Sequence, residues 1–154
     1  MKLTTKAKKE IKKLVNEINE LEKKIERLRE KMYTVDLEFK KMYSREIYKT
    51  YEKIDNKKEK INEIRDTGYS TSELATIKRN LDKFEILDKT KSIGSATYTV
   101  AGYVPSLKQH LLVKYIRYSS FFRNVKGCSS IAGTRDIISV KPITKTEYER
   151  LIKG

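Results

Sequence analysis

The sequence predicts an α+β protein in which a long N-terminal coiled-coil helix or helical hairpin is followed by a small C-terminal β-α-β-α unit. Apolar residues recur every seven positions over residues 6–42, which is the pattern of a coiled coil. Residues 95–104 and 135–143 are rich in β-branched and aromatic side chains, which favour strands. The expected organisation is a coiled-coil helical region (1–66), a connecting helix (67–90) and a small basic α+β domain (91–154).

The N-terminal repeat has isoleucine mainly at heptad position a and leucine mainly at position d, a combination typical of two-stranded packing. The a positions are Ile11, Ile18, Ile25, Met32 and Phe39, and the d positions are Leu14, Leu21, Leu28, Val35 and Met42. Because neither glycine nor proline occurs before Gly68, one helix could extend over about residues 5–66. The alternative is a helical hairpin that turns at "YTVD" (33–36), with Asp36 as the N-cap. Continuity of the heptad repeat through the proposed turn favours the unbroken helix.

Charges beside the repeat predict the direction of any self-association through residues 8–31. In an antiparallel pair of chains, Glu17 of one chain faces Lys24 of the other, which is attractive. In a parallel pair, Glu17 instead faces Glu22 of the other chain, which is repulsive. Each exposed pair contributes only about 0.3–0.5 kcal/mol, so the charges favour the antiparallel direction by a small margin.

Capping and turn residues divide the region that follows the repeat. Ser70 with Glu73 forms a capping box, which predicts a helix over about residues 71–88. The segment "SATYTVAGYV" (95–104) predicts a strand that stops at Pro105, because proline cannot donate a hydrogen bond within a sheet.

The last third of the chain is predicted to contain a helix, a strand and a short final helix. A second capping box, Ser106 with Gln109, predicts a helix that Gly127 ends, although "HLLVKYIRY" within it is also compatible with a strand. The segment "RDIISVKPI" (135–143) predicts a strand, and a capping box at Thr144 predicts the final helix.

The charge of the chain indicates the class of partner. The formal net charge is +14 and the isoelectric point is about 9.7, so a polyanion is the expected partner. Residues 1–66 carry 20 basic and 14 acidic side chains, whereas residues 91–154 carry 11 basic and 3 acidic ones. We therefore expect the C-terminal region to bind DNA or RNA, and the coiled coil to offer a surface for a protein partner.

The predicted helix after Ser106 carries the candidate binding surface. Leu111 and Tyr115 belong to its apolar stripe, while Lys114, Arg117 and Phe121 share an adjacent outward strip. Basic side chains neutralise phosphates, and an aromatic ring can stack on an exposed base. The expected nucleic-acid-binding residues are Lys108, Lys114, Arg117, Tyr118, Phe121, Arg123, Lys126 and Arg135.

The sequence offers few residues for catalysis or metal binding. The single histidine, His110, and the single cysteine, Cys128, are eighteen residues apart, and neither has a sequence neighbour that would activate it. We expect both to be dispensable. The loop "KGCSSIAGTR" (126–135) departs from the phosphate-binding pattern, because Ala132 stands where the second glycine belongs. We therefore expect no catalytic residues, no metal and no cofactor.

These observations predict a non-enzymatic nucleic-acid-binding protein with a coiled coil for oligomerisation or reach. The alternative is a protein–protein module or inhibitor, of the kind that phages and other mobile elements encode, which blocks a host nucleic-acid-processing complex. The lone cysteine favours a reducing cytoplasm, and the sequence has no apolar run long enough to suggest a membrane partner.

Overall fold

A computed structural model describes residues 2–118 and 134–154, and the chain divides into two compact units, residues 2–65 and residues 66–154. Long N-terminal helices precede a four-stranded antiparallel sheet, which confirms the predicted α+β class. Within the described residues, no helix is both long and apolar enough to cross a membrane. The helices are α1 (Thr5–Met32), α2 (Leu37–Thr67), α3 (Thr71–Asn80) and α4 (Lys145–Lys153), and the strands are β1 (Glu85–Ser92), β2 (Ser95–Val104), β3 (Gln109–Tyr118) and β4 (Arg135–Ile143).

The N-terminal unit takes the hairpin form of the two predicted alternatives, with a turn over residues 33–36. Local hydrogen bonds account for the break between α1 and α2. The backbone N–H and the hydroxyl of Thr34 donate to the Lys31 carbonyl oxygen at 3.2 and 3.0 Å. The carbonyl of Asp36 accepts from the Lys40 N–H at 3.1 Å, which begins α2. These bonds satisfy terminal helix groups without a glycine or a proline, so the heptad repeat alone could not reveal the turn.

The heptad repeat of α1 packs against α2 of the same chain. The buried cluster consists of Ala7, Leu14, Ile18, Ile25, Ile54, Ile61 and Ile64. Two ion pairs join the helices in antiparallel order, Glu17 with Lys57 at 2.7 Å and Lys24 with Glu46 at 3.7 Å. Self-association through residues 8–31 stays a prediction, and it would compete for apolar positions that the hairpin already buries.

The C-terminal unit contains the sheet, whose strands follow the chain order β1-β2-β3-β4. Each strand is antiparallel to its neighbours. The strands predicted over residues 95–104 and 135–143 are confirmed as β2 and β4. The capping boxes at Ser70 and Thr144 are confirmed at the starts of α3 and α4.

The predicted β-α-β-α order of this unit is wrong, because the chain after Ser106 forms β3 where the structure describes it. Residues 105–108 form a turn in which the Leu107 N–H donates to the Val104 carbonyl at 3.2 Å. Lys108 has a φ of 53° there, a left-handed conformation that does not occur within a helix.

Side-chain alternation explains why β3 is a strand. Leu111, Val113 and Tyr115 are buried, whereas the residues between them are half-buried or exposed. This period of two is that of a strand. The backbone of β3 also pairs with β2 on one side and β4 on the other, which satisfies its hydrogen-bonding groups without a helix.

The predicted helix over residues 71–88 is shorter than expected. It ends at Asn80, a short 3₁₀ turn (Leu81–Lys83) follows, and β1 begins at Glu85. The apolar side chains of this segment enter the core, where Leu74, Ile77, Leu81 and Phe84 are all buried.

The sheet has two distinguishable faces. On the α3 face, Ile77 packs in one buried cluster with Val113 and Val140. On the opposite face, which we call the α4 face, the Tyr148 ring lies 5.0 Å from the His110 ring. Alternation along each strand therefore decides whether a side chain points to α3 or to α4.

Candidate functional site

The candidate site lies on the α3 face, at the end of the sheet where β1 and β3 finish and β2 and β4 begin. There the strand register pairs Lys91 with Ala96, Ala96 with Arg117, and Arg117 with Arg135. Four adjacent strands thus contribute one residue each to a line across the sheet. We call this line the basic row (Lys91, Ala96, Arg117 and Arg135).

A second line, the tyrosine row (Lys89, Tyr98, Tyr115 and Ile137), lies two residues nearer the covered part of the sheet. The rings of Tyr98 and Tyr115 stack with centroids 5.1 Å apart and an interplanar angle of 14°. The ammonium nitrogen of Lys89 lies 5.2 Å from the centroid of the Tyr98 ring. Tyr115 is buried, whereas Tyr98 is only partly buried between a tyrosine ring and a cation.

Register and electrostatics both place the two rows on one surface. Residues two apart in a strand share a face, so Lys91 lies beside Lys89, and Arg117 lies beside Tyr115. Burial raises the pKa of Tyr115 above its ordinary value, while the charges of Arg135 and Arg117 act in the opposite direction. The Tyr115 hydroxyl therefore lies within electrostatic reach of both arginines.

One carboxylate approaches the basic row. Arg135 donates from Nη1 to Oδ1 of Asp82 at 2.8 Å, and the Asp82 side chain is 81% exposed. An ion pair this exposed contributes at most about 1 kcal/mol, so its main effect is to orient the guanidinium. The three cations of the basic row, the Lys89 ammonium of the tyrosine row and the Asp82 carboxylate together carry a net charge of +3.

The dimensions of the sheet set what the two rows can hold. Neighbouring strands lie about 4.8 Å apart, so the basic row extends about 14 Å from β1 to β4. The tyrosine row runs parallel to it at a distance of about 7 Å. The surface can therefore bind a line of negative charges across the strands with a flat, apolar ring system next to it.

The structure brings together only part of the predicted set of nucleic-acid-binding residues. Arg117 and Arg135 pair in the basic row. Lys114 is exposed, but alternation places it on the α4 face together with Tyr118, the last residue of β3. Lys108 lies in the turn before β3, about 30 Å along the strand from Arg117. Lys114 and Arg117 lie on opposite faces of β3, so the outward strip that they were expected to share on a helix is wrong.

Other residues that the sequence singled out are not part of this surface. Phe121, Arg123 and Lys126 lie outside the described residues, as does Cys128. His110 lies on the α4 face between the rings of two tyrosines. In the part of the chain that the structure describes, no group of three or more His, Cys, Asp or Glu side chains could hold a metal ion.

Sequence reasoning missed Lys89, Lys91, Ala96 and Tyr98 as site residues. A signal for them exists in "DKTKS" (88–92), where lysines alternate with other polar residues at the period of a strand. The expectation of a helix through residue 88 concealed this alternation.

The chain matches no protein-family model, no curated protein and no solved structure. Its function is therefore inferred from the charge and geometry of the two rows.

Proposed function

We propose that the protein is a non-enzymatic nucleic-acid-binding protein whose C-terminal sheet makes the contacts. The observation that carries this proposal is the basic row beside the stacked tyrosines. Lysine and arginine neutralise phosphates and release their counterions, and aromatic rings on a sheet stack on bases. The helical hairpin supplies oligomerisation or reach in this proposal.

The overall charge supports a polyanionic ligand. The net charge of +14 exceeds the magnitude of about 2–8 that keeps a small domain soluble. A surplus of this size attracts DNA or RNA over long distances and speeds association. Because residues 91–154 carry 11 basic and 3 acidic side chains, the attraction is concentrated in the unit that contains the basic row.

Two measurements test the proposed function. The ultraviolet absorbance spectrum of freshly purified protein should contain a nucleic-acid component that disappears after nuclease treatment. Fluorescence anisotropy with labelled single-stranded and duplex oligonucleotides should give affinities whose logarithm falls linearly with the logarithm of salt concentration. Absence of binding to every oligonucleotide at about 50 mM salt would refute the proposal, since phosphate contacts are strongest at low salt.

A second candidate function, a protein–protein module or an inhibitor of a nucleic-acid-processing complex, is favoured by the turn end of the hairpin. Four large side chains there are more than half exposed: Tyr33 (85%), Leu37 (71%), Met42 (59%) and Tyr48 (66%). A group of exposed apolar side chains is characteristic of protein-binding surfaces. This function predicts a stoichiometric protein partner that survives nuclease treatment and is lost from a variant with Leu37→Ser and Met42→Ser together.

A further inference from the structure

The tyrosine row gives the sheet a means of distinguishing single-stranded from duplex nucleic acid. This inference rests on the proposed function. We propose that the sheet binds single-stranded nucleic acid, with phosphates along the basic row and one unpaired base stacked on Tyr98. The base takes the place of the Lys89 ammonium, which then contacts a phosphate.

The surroundings of Tyr98 make one of its ring faces available. Tyr115 lies against one face at 5.1 Å and, being buried, holds the ring in position. Over the ring lies the ammonium of Lys89, an exposed residue with a flexible stem. The Tyr98 ring is only partly buried, and a cation over such a ring is held less strongly than a stacked base, so a base displaces the ammonium.

The basic row provides the matching path for the backbone of the strand. Its cations cover about 14 Å across the sheet, which accommodates a few successive phosphates of one strand. Ala96 stands between Lys91 and Arg117, and its short side chain lets the phosphate chain approach the sheet closely. Because the tyrosine row is about 7 Å away, a base attached to that chain can reach Tyr98.

A duplex cannot use the tyrosine row in this way. Its bases are paired and stacked on one another, so their faces are closed to a tyrosine ring. A duplex would contact only the cations, whereas a single strand gains the stacking contact as well. The tyrosine row therefore gives a preference for single strands.

The test compares three oligonucleotides of equal length with the wild-type protein: a single strand, the same strand with abasic residues, and a duplex. The abasic strand keeps every phosphate and loses every base. We expect it to bind about 5- to 150-fold more weakly than the normal strand, at a similar salt slope. Ribose and deoxyribose versions are both measured, and a loss with either supports the proposal. Equal affinity for normal and abasic strands would overturn it.

Substitutions on β2 locate the stacking contact. Tyr98→Leu should abolish the difference between normal and abasic strands, whereas Tyr98→Phe should keep it. Tyr103→Leu is the matched control, because Tyr103 belongs to the same strand but lies on the α4 face. If Tyr98→Leu does not fold, the abasic comparison on the wild type still decides. Equal affinity for normal and abasic strands would refute the stacking contact but leave the proposed nucleic-acid binding intact. Absence of binding to any strand would refute both.

Discussion

Replacing Lys91 and Arg117 by glutamine in one variant removes two cations of the basic row. Both side chains are exposed, so the fold should be unaffected. Each phosphate contact on a single strand contributes about −0.7 to the slope of log affinity against log salt concentration. If each cation contacts one phosphate, the slope becomes flatter by about 1.4 units. Over a fourfold rise in salt, from about 50 to about 200 mM, the wild type should then lose about sevenfold more affinity than the variant.

The assay is fluorescence anisotropy with a labelled single strand at four salt concentrations. The matched control replaces Lys114 and Lys141, two exposed lysines of the α4 face, by glutamine. Both double variants lower the net charge from +14 to +12, so only the position of the lost charges differs. We expect the control to keep the wild-type slope. An equal slope change in both variants would show that the phosphate contacts are spread over the surface, and the assignment to the basic row would be wrong.

Three further predictions concern the stability of the C-terminal unit and of the helical hairpin. A Cβ on Gly102 would lie 2.3 Å from Cδ1 of the buried Phe84 ring, so Gly102→Ala should lower the free energy of unfolding by about 1–3 kcal/mol in urea denaturation, and an unchanged midpoint would contradict this packing. Burial raises the pKa of Tyr115 above 10.0, so the stability that its neutral hydroxyl confers is lost as the pH rises through that raised pKa. Tyr115→Phe should therefore weaken the fall in urea midpoint between about pH 9 and pH 11. The hydrogen bond from Lys57 holds the pKa of Glu17 below 4.5, so its contribution is present above that pH and is lost as the pH falls through the lowered pKa. Glu17→Gln should lower the melting temperature at neutral pH and leave it unchanged in strong acid.

Elements with local signals could be predicted from the sequence. The strand β2 is rich in Thr, Tyr and Val and stops before Pro105, and α4 begins at a capping box that Thr144 and Glu147 form within one turn. Interactions of this kind involve residues close in sequence, so they are visible without the fold.

Elements that depend on distant partners could not be predicted in the same way. The segment after Ser106 is compatible with both a helix and a strand. A spacing of three or four residues, as in a helix, joins Leu107, Leu111, Tyr115 and Tyr118. A spacing of two, as in a strand, joins Leu111, Val113 and Tyr115. Pairing with β2 and β4 decides between the two, and that pairing joins segments far apart in the chain.

The candidate site could be predicted only in part for the same reason. The charge of the C-terminal region is sufficient to identify Arg117 and Arg135 as candidates. Their alignment with Lys91 exists only once the register of all four strands is known. Helical spacing predicts that Lys114 lies beside Arg117, whereas in the strand β3 the two side chains lie on opposite faces.

Amide chemical-shift mapping by nuclear magnetic resonance tests most directly whether the α3 face of the sheet is the binding surface. The isotope-labelled full chain is titrated with a short single-stranded oligonucleotide, and each perturbed amide is located in the structure. We expect the largest shifts at the ends of the strands that carry the two rows, around Lys91, Tyr98, Arg117 and Arg135. Shifts concentrated in the helical hairpin, or around Lys114 and Lys141 on the α4 face, would show that the two rows are not the binding surface.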